Sequence, residues 1–492
     1  MMNLWFFCSL LCVVSASIHI APQETALVIG FEKLYDISLL ANTLSDQGID
    51  SVLIIPTSSE NIYDHLIEVE VIKLNVTSSK DAKKEEKALD ACEALITNKD
   101  ILNKVKVIQP TFTIFPALRH DGCLLPWTRF IGSIPIIWAE GHEEEYYAIE
   151  KLRMAIPIRT ESFVDRFWSH IQVRAIISHA ENHYVNAALK LTKKYLSSLQ
   201  HFSLHELYSD VELFLWGSDH VLRSEFATLS HRLVEIGCHH CRGIQPLPPI
   251  LQKELVEYRL GTIVVTLDKQ FRELVENLAH RLPQGRDGQA LVWKTKDVKL
   301  NNKAPENMFI HSDVDRQDLI GYARSRVLLS HCGDTEFLEA AFHGTPIVCI
   351  PRNPPEKQNA MRAIKLGVSE SLNDDFSIDK VYNIVNLIHE SASFREAARS
   401  VSLAIRDRPM PASDRVKFWL DYVVRNKDNA MNFELSEKDV IKTFAEDVQF
   451  FYGLFIGAGF GALFALTTVL TWYYQNKSTK QFSKIKGKKF SR

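Results

Sequence analysis

The chain carries almost no excess of charge of either sign. Its 57 Lys and Arg stand against 60 Asp and Glu over 492 residues, a formal net charge of −3. Such a balance offers no electrostatic footprint for nucleic acid. Cysteine is also sparse: Cys238-His239-His240-Cys241 is a single C-x-x-C with no second pair at ligand spacing, so no metal site is assigned to it. There is no His between Ile20 and His65. One stretch lacks charge altogether, the 23 residues 450–472. A helix of that length spans about 30 Å of hydrocarbon.

What is present points to a secreted or lumenal body on a membrane anchor. Residues 1–16 hold an apolar run over 4–14, without Lys or Arg before it, and end in Val14-Ser15-Ala16, the pattern of a signal peptide cut near Ser17. Tyr452 at one border of the apolar run and Trp472, Tyr473 and Tyr474 at the other are placed as interfacial anchors. The tail 473–492 then carries Lys477, Lys480, Lys484, Lys486, Lys488, Lys489 and Arg492 with no acid, so the positive-inside rule makes it cytoplasmic and the body lumenal. Gly453, Gly457 and Gly461 recur every four residues and could form a small-residue face for helix pairing. On that topology Asn75-Val76-Thr77 is the one glycosylation acceptor in the body, and disulfides are permitted among Cys92, Cys123, Cys238, Cys241, Cys332 and Cys349.

At 46% hydrophobic and 24% charged residues, the body is an ordinary globular sequence long enough for two or three domains. Its opening reads as strand 26–29, helix 36–47 and strand 52–55, with strands 111–115 and 134–138 to follow and an amphipathic helix over 91–106. Proline then crowds Gly243-Ile244-Gln245-Pro246-Leu247-Pro248-Pro249, a linker signal. Beyond it strands at 262–267, 291–294, 308–311, 327–330 and 347–350 alternate with helical patterns such as 271–282. The expected class is α/β with mostly parallel sheets. The boundaries are a signal peptide 1–16, an N-terminal α/β domain 17–247, a linker 248–260, a second α/β domain 261–425, a juxtamembrane segment 426–449, the span 450–472 and the basic tail 473–492.

The stretch 327–359, VLLSHCGDTEFLEAAFHGTPIVCIPRNPPEKQN, is a strand, a glycine turn, a helix and a second strand. In such a unit the helix N-terminus faces the carboxyl edge of a parallel sheet, where anionic ligands bind. The order H-C-G, E-A, H-G-x-P, I-P and N-A resembles the signature of the UDP-glycosyltransferases, in particular the membrane-bound glucuronosyltransferase type of animals. Arg408-Pro409-Met410-Pro411, Asp414 and the run 418–425 match the stretch that precedes the membrane span in that type.

The resemblance implies two Rossmann-like domains facing each other across a cleft, the GT-B arrangement. It implies transfer of a hexose or glucuronic acid from a UDP-sugar, as co-substrate with no cofactor, to a small lipophilic acceptor at the lumenal face of the endoplasmic reticulum membrane. By the same resemblance His331 and Gly333 meet the diphosphate, Glu339 accepts hydrogen bonds from the ribose hydroxyls, and Gln358 reaches the sugar. Other family positions are altered. The His that takes the acceptor's proton falls on Lys33, and the Asp that orients it falls on Phe115, leaving Glu32, Lys33 and Asp121 as candidate substitutes. The uracil-stacking Trp falls on Asp313, in the string Asp313-Val314-Asp315-Arg316. The residues after the glycine are Thr335 and Glu336, the Gly-Ser turn becomes Asp268-Lys269, and the sugar-binding Asp-Gln pair becomes Pro355-Glu356. Two readings therefore stand: a working transferase, or a catalytically impaired relative serving as a binding or partner subunit, with homo- or hetero-oligomerisation through the helix glycines.

Overall fold

The computed structural model describes residues 24–58, 69–79, 82–117, 119–152, 162–223, 232–296, 304–372, 374–426 and 452–478. The signal-peptide region, most of the juxtamembrane segment and the end of the basic tail lie outside them. The first sheet contains β1 (Thr25–Ile29), β2 (Asp50–Pro56), β3 (Glu70–Leu74), β4 (Phe112–Pro116), β5 (Ile134–Ala139), β6 (Leu213–Trp216) and β7 (Leu233–Glu235). Its strand order is β3-β2-β1-β4-β5-β6-β7, and every pairing is parallel. The second sheet contains β8 (Thr262–Val265), β9 (Ala290–Lys294), β10 (Met308–His311), β11 (Ser325–Ser330) and β12 (Ile347–Cys349), in the order β10-β9-β8-β11-β12, again all parallel.

Both orders follow from the sequence pattern. The strands are short runs such as Ala26-Leu27-Val28-Ile29 and Ile263-Val264-Val265, buried on both faces because helices cover each side. Right-handed crossovers then build outward from the first strand in one direction and reverse to the other side. The carboxyl ends of β1, β5 and β11 bring Lys33, Glu140 and His331 toward one region. The helices that matter there are α1 (Leu34–Asp46), α2 (Asp121–Ile131), α3 (Arg316–Gly321), α4 (Asp334–His343), α5 (Pro354–Lys365) and α6 (Ala412–Asn426).

The expected single helix over 91–106 is two, Lys84–Thr97 and Lys99–Ile108. Asn98 divides them, leaving the helix conformation so that its side chain accepts from the Ile101 N–H and caps the second helix. Helix α6, numbered with the second domain by sequence, buries Val416, Leu420 and Val423 in the same core as Val28, Leu40 and Ile136 of the first sheet. In exchange, Leu222, Cys238 and Leu247 join the second core beside Val264 and Leu328. All six body cysteines pair, as Cys92–Cys123, Cys238–Cys241 and Cys332–Cys349.

Gly122 marks a tight helix contact. A Cβ there would lie 2.1 Å from the Val185 carbonyl oxygen and 2.8 Å from the Leu189 nitrogen, both backbone atoms. Gly122→Ala is expected to cost about 1–3 kcal/mol through forced displacement of that backbone, read as a lower midpoint in thermal unfolding.

Tyr452–Ser478 is one continuous helix, with a mean hydropathy of 1.9 over its most apolar window and none of that window buried within the structure. It runs past the apolar stretch to Lys477, which the sequence reading had assigned to the tail.

Candidate functional site

The loop after β1, Gly30-Phe31-Glu32-Lys33, carries Lys33, the position to which the resemblance gives the proton-taking His. Lys33 begins α1 with φ 48° and ψ 42°, a left-handed conformation uncommon for a side-chain-bearing residue. Its Nζ lies 2.6 Å from Glu140 Oε2 and 2.8 Å from Glu145 Oε1. Glu145 is fixed in turn, because its Oε2 accepts the backbone N–H groups of Glu140, Gly141 and His142 at 3.0, 2.6 and 2.9 Å. Burial alone would lower the Lys33 pKa, but the two carboxylates overcome it and raise it well above the ordinary lysine value. Lys33 is therefore an ammonium with no lone pair to offer as a base.

The position of the family's Asp is equally closed. Phe115 is fully buried, packed in the first core with Ile29 and Ile137. Glu32 pairs with Arg119 at 2.5 Å, and although burial pushes its carboxyl up, His120 and Arg119 hold it below the usual range. Asp121 is buried at the start of α2 and accepts from the Tyr208 hydroxyl at 2.5 Å. Each candidate substitute is held by an internal partner: Lys33 by two carboxylates, Glu32 by Arg119 and Asp121 by Tyr208.

On the donor side, His331 follows β11. Its Nδ1–H donates to the Ile350 carbonyl at 2.8 Å, and its Nε2 accepts the Asp268 N–H at 3.1 Å. One tautomer satisfies both bonds, and neither nitrogen remains to donate to a phosphate. Gly333 stands at the N-terminus of α4 with φ −56°, a value open to any residue. A Cβ there would find only Glu336 Oε2, at 3.9 Å, so the space over the helix end is open. Gln358 is half-buried on α5, with Oε1 3.4 Å from His142 Nδ1, and Glu356 is turned inward onto Arg352.

Glu339 is buried on α4 and already occupied. Arg316, at the start of α3, donates Nε–H to Oε2 at 2.5 Å and Nη2–H to Oε1 at 2.8 Å, a bidentate clasp. The same guanidinium lies 5.2 Å from the ring centre of Tyr35 on α1. Burial would raise the Glu339 carboxyl, yet Arg316 first and His240 second bring it down to about 2. Both oxygens expected to receive a ribose thus receive an arginine.

Between the domains a second cluster forms around Asp334, the first residue of α4. His142 Nε2–H donates to Oδ2 at 2.7 Å, Arg223 Nη2 to Oδ1 at 2.5 Å, and Asn359 Nδ2 to Oδ1 at 2.9 Å. A cation, an imidazole, an amide and a helix N-terminus make an anion cradle, and the chain's own carboxylate fills it. Burial opposes ionisation of Asp334, but His142 and Arg223 hold it well below its ordinary value, while burial and Asp334 itself push Glu140 up. Thr335 Oγ1 further bonds the Asp36 carboxylate of α1, whose pKa burial and then Asp334 raise to about 6.

Of the residues singled out in the sequence, Lys33 meets Glu140 and Glu145, His331 meets Ile350 and Asp268, Glu339 meets Arg316, and Gln358 meets His142. The sequence reading missed Glu140, His142, Arg223 and Asp334. The run Glu140-Gly141-His142 directly after an all-apolar strand was the available signal, since ligand groups of parallel sheets gather at strand carboxyl ends. Arg223 had none, lying after β6 without a motif. Cys238 and Cys241, joined to each other, offer no thiolate to a metal.

Two parallel-sheet domains with their strand ends converging on one cleft define a GT-B glycosyltransferase fold. Solved structures share it: a UDP-glucosyltransferase from Polygonum tinctorium aligns over 82% of this chain and 99% of its own with TM-score 0.56 at 15% identity, and a kitacinnamycin glycotransferase with TM-score 0.55 at 14% over 81% and 99%. Residues 16–439 match the UDP-glucoronosyl and UDP-glucosyl transferase family, and the chain belongs to it. Among curated relatives, rat UDP-glucuronosyltransferase 1A8 is 25% identical over 359 residues, covering 68% of this chain and 65% of its own length. UDP-glucosyltransferase 2 of Dactylopius coccus is 29% identical over 204 residues, 39% of this chain and 38% of its own length.

Proposed function

We propose that this chain is a membrane-anchored member of the UDP-glycosyltransferase family whose cleft is bonded to itself and does not transfer sugar, and that it serves as a binding or partner subunit of a catalytically active relative. The observation that carries the reading is the Arg316–Glu339 clasp. By the resemblance the ribose hydroxyls would meet Glu339, whose two oxygens Arg316 already takes. The ammonium at Lys33 and the apolar Phe115 support it from the acceptor side, since general-base activation of a hydroxyl needs a group that can take a proton. The exposed Asn75 after β3 and the apolar helix Tyr452–Ser478 fit a lumenal body anchored in the endoplasmic reticulum membrane.

The open space at Gly333 favours a second reading. In it a UDP-sugar enters over the α4 N-terminus, displaces Arg316 from Glu339, and the family's transfer of a hexose or glucuronic acid to a small lipophilic acceptor is retained with another base.

Calorimetric titration of the detergent-solubilised full chain with UDP, UDP-glucose and UDP-glucuronic acid separates the two. No heat at millimolar nucleotide is the expected result for the self-bonded cleft. Micromolar binding that disappears in Glu339→Ala would overturn it in favour of the transferase.

A further inference from the structure

A cavity of about 310 Å³ lies where the segment after β7, the end of α4 and the start of α6 meet, and none of its lining residues is among those that fill the cleft. Its size is that of a small-molecule site. Four arginines line it, Arg242, Arg406, Arg408 and Arg415, against one carboxylate, Asp219. The internal pairings leave the charge unbalanced. Arg242 is clasped by Asp318 at 2.7 and 2.9 Å, and Arg408 donates to both Asp219 oxygens at 3.0 Å. Arg415 gives its guanidinium to two backbone carbonyls, those of Glu235 at 2.7 Å and Met410 at 3.3 Å. Arg406 lies 5.3 Å from the Phe342 ring centre. Among the described residues neither Arg406 nor Arg415 has a carboxylate partner.

Three further features point the same way. Arg408 Nε is buried without a hydrogen-bond partner although its Nη2 is fully used. Ala412 and Ser413, the first residues of the 15-residue helix α6, face the cavity, adding the positive end of the helix to the two uncompensated guanidinium groups. Phe342, Ile405 and Met410 supply an apolar wall beside the charges. His239 lines the same space but brings no charge, because burial pushes its pKa well below the ordinary histidine value.

We infer that this cavity is a second binding site, distinct from the nucleotide-sugar cleft, for an organic phosphate: a doubly charged phosphoryl group set between Arg406, Arg415 and the α6 N-terminus, with an apolar body against Phe342 and Met410. Planar guanidinium groups suit phosphate oxygens through paired N–H donors, and two of them match a dianion. Filling the site would also link the segment after β7 to α6, the helix that the second half of the chain lends to the first core.

Inorganic pyrophosphate is the probe, titrated into the full solubilised chain by calorimetry. Binding is expected, and Arg406→Gln, a substitution at an exposed position, should weaken it by about tenfold or more, the effect of losing one charge-assisted hydrogen bond. Arg406→Lys should recover part of the loss. Arg406 lies outside the cleft, so its loss of pyrophosphate affinity is read whether or not UDP binds. As a second readout, pyrophosphate should protect Arg406 and Arg415 from phenylglyoxal, scored by peptide mass. No binding at millimolar pyrophosphate, equal affinity in Arg406→Gln, or unprotected arginines would each overturn the site.

Discussion

Arg316→Met should destabilise the protein by about 3–5 kcal/mol, because it leaves the Glu339 carboxylate buried without its partner. The pair is inside, with Glu339 1% exposed, and the His240 ring nitrogen at 3.3 Å is the only other side-chain nitrogen within ion-pair distance of Glu339 among the described residues. Replacing both partners, as Arg316→Met with Glu339→Leu, removes the stranded charge and should return most of the loss. A double-mutant cycle on chemical denaturation measures the difference. A large coupling would mean that the clasp is a feature of the folded cleft; additive losses would mean that Arg316 and Glu339 act separately and that the ribose position is free.

The same pair sets an acid limit. The Glu339 carboxyl has a folded pKa of about 2 against an ordinary value of 4.5, so the folded state favours its ionised form. Its contribution is fully present above the unfolded pKa and is lost as pH falls through the folded one. At 1.36 kcal/mol per unit the lost stabilisation is about 3 kcal/mol. Between about pH 4.5 and 2, wild type should therefore lose more stability than the double variant, which has no such group.

Lys33→Met should cost a comparable amount, about 3–5 kcal/mol, for the mirror-image reason. Here the stranded groups are Glu140 and Glu145, both almost wholly buried and both bonded to Nζ. Glu145 also fixes the Glu140-Gly141-His142 backbone, so the damage should spread to the His142–Asp334 contact that joins the domains. Thermal unfolding of Lys33→Met beside Lys33→Arg tests this, since arginine keeps the charge and should retain most of the stability. If methionine were as stable as wild type, Lys33 would be a solvated loop charge and the base position would stand open.

The two α/β halves, the C-terminal apolar helix and the strand-turn-helix-strand unit around His331 were legible in the sequence. Each rests on local periodicity: runs of four or five apolar residues between turns, a charge-free stretch, and glycines at the turns. Asn98 was misread because one capping side chain outweighed an amphipathic pattern that ran on through it. The resemblance set Lys33, Phe115 and Asp313 against the family's motif positions as expectations.

What those residues do was decided only in three dimensions. A resemblance can set Glu339 against a ribose-binding position, but it does not tell that Arg316, 23 positions earlier, turns inward to take both its oxygens. Nor can it say that Asp334 is met by Arg223, 111 positions away, and His142, 192 away. The sequence by itself determined the fold class, because hydrophobic periodicity and turn chemistry act over a few residues. The state of the cleft was decided by the tertiary structure, because a buried charge is stable only beside a partner, and packing alone selects which distant side chain that partner is.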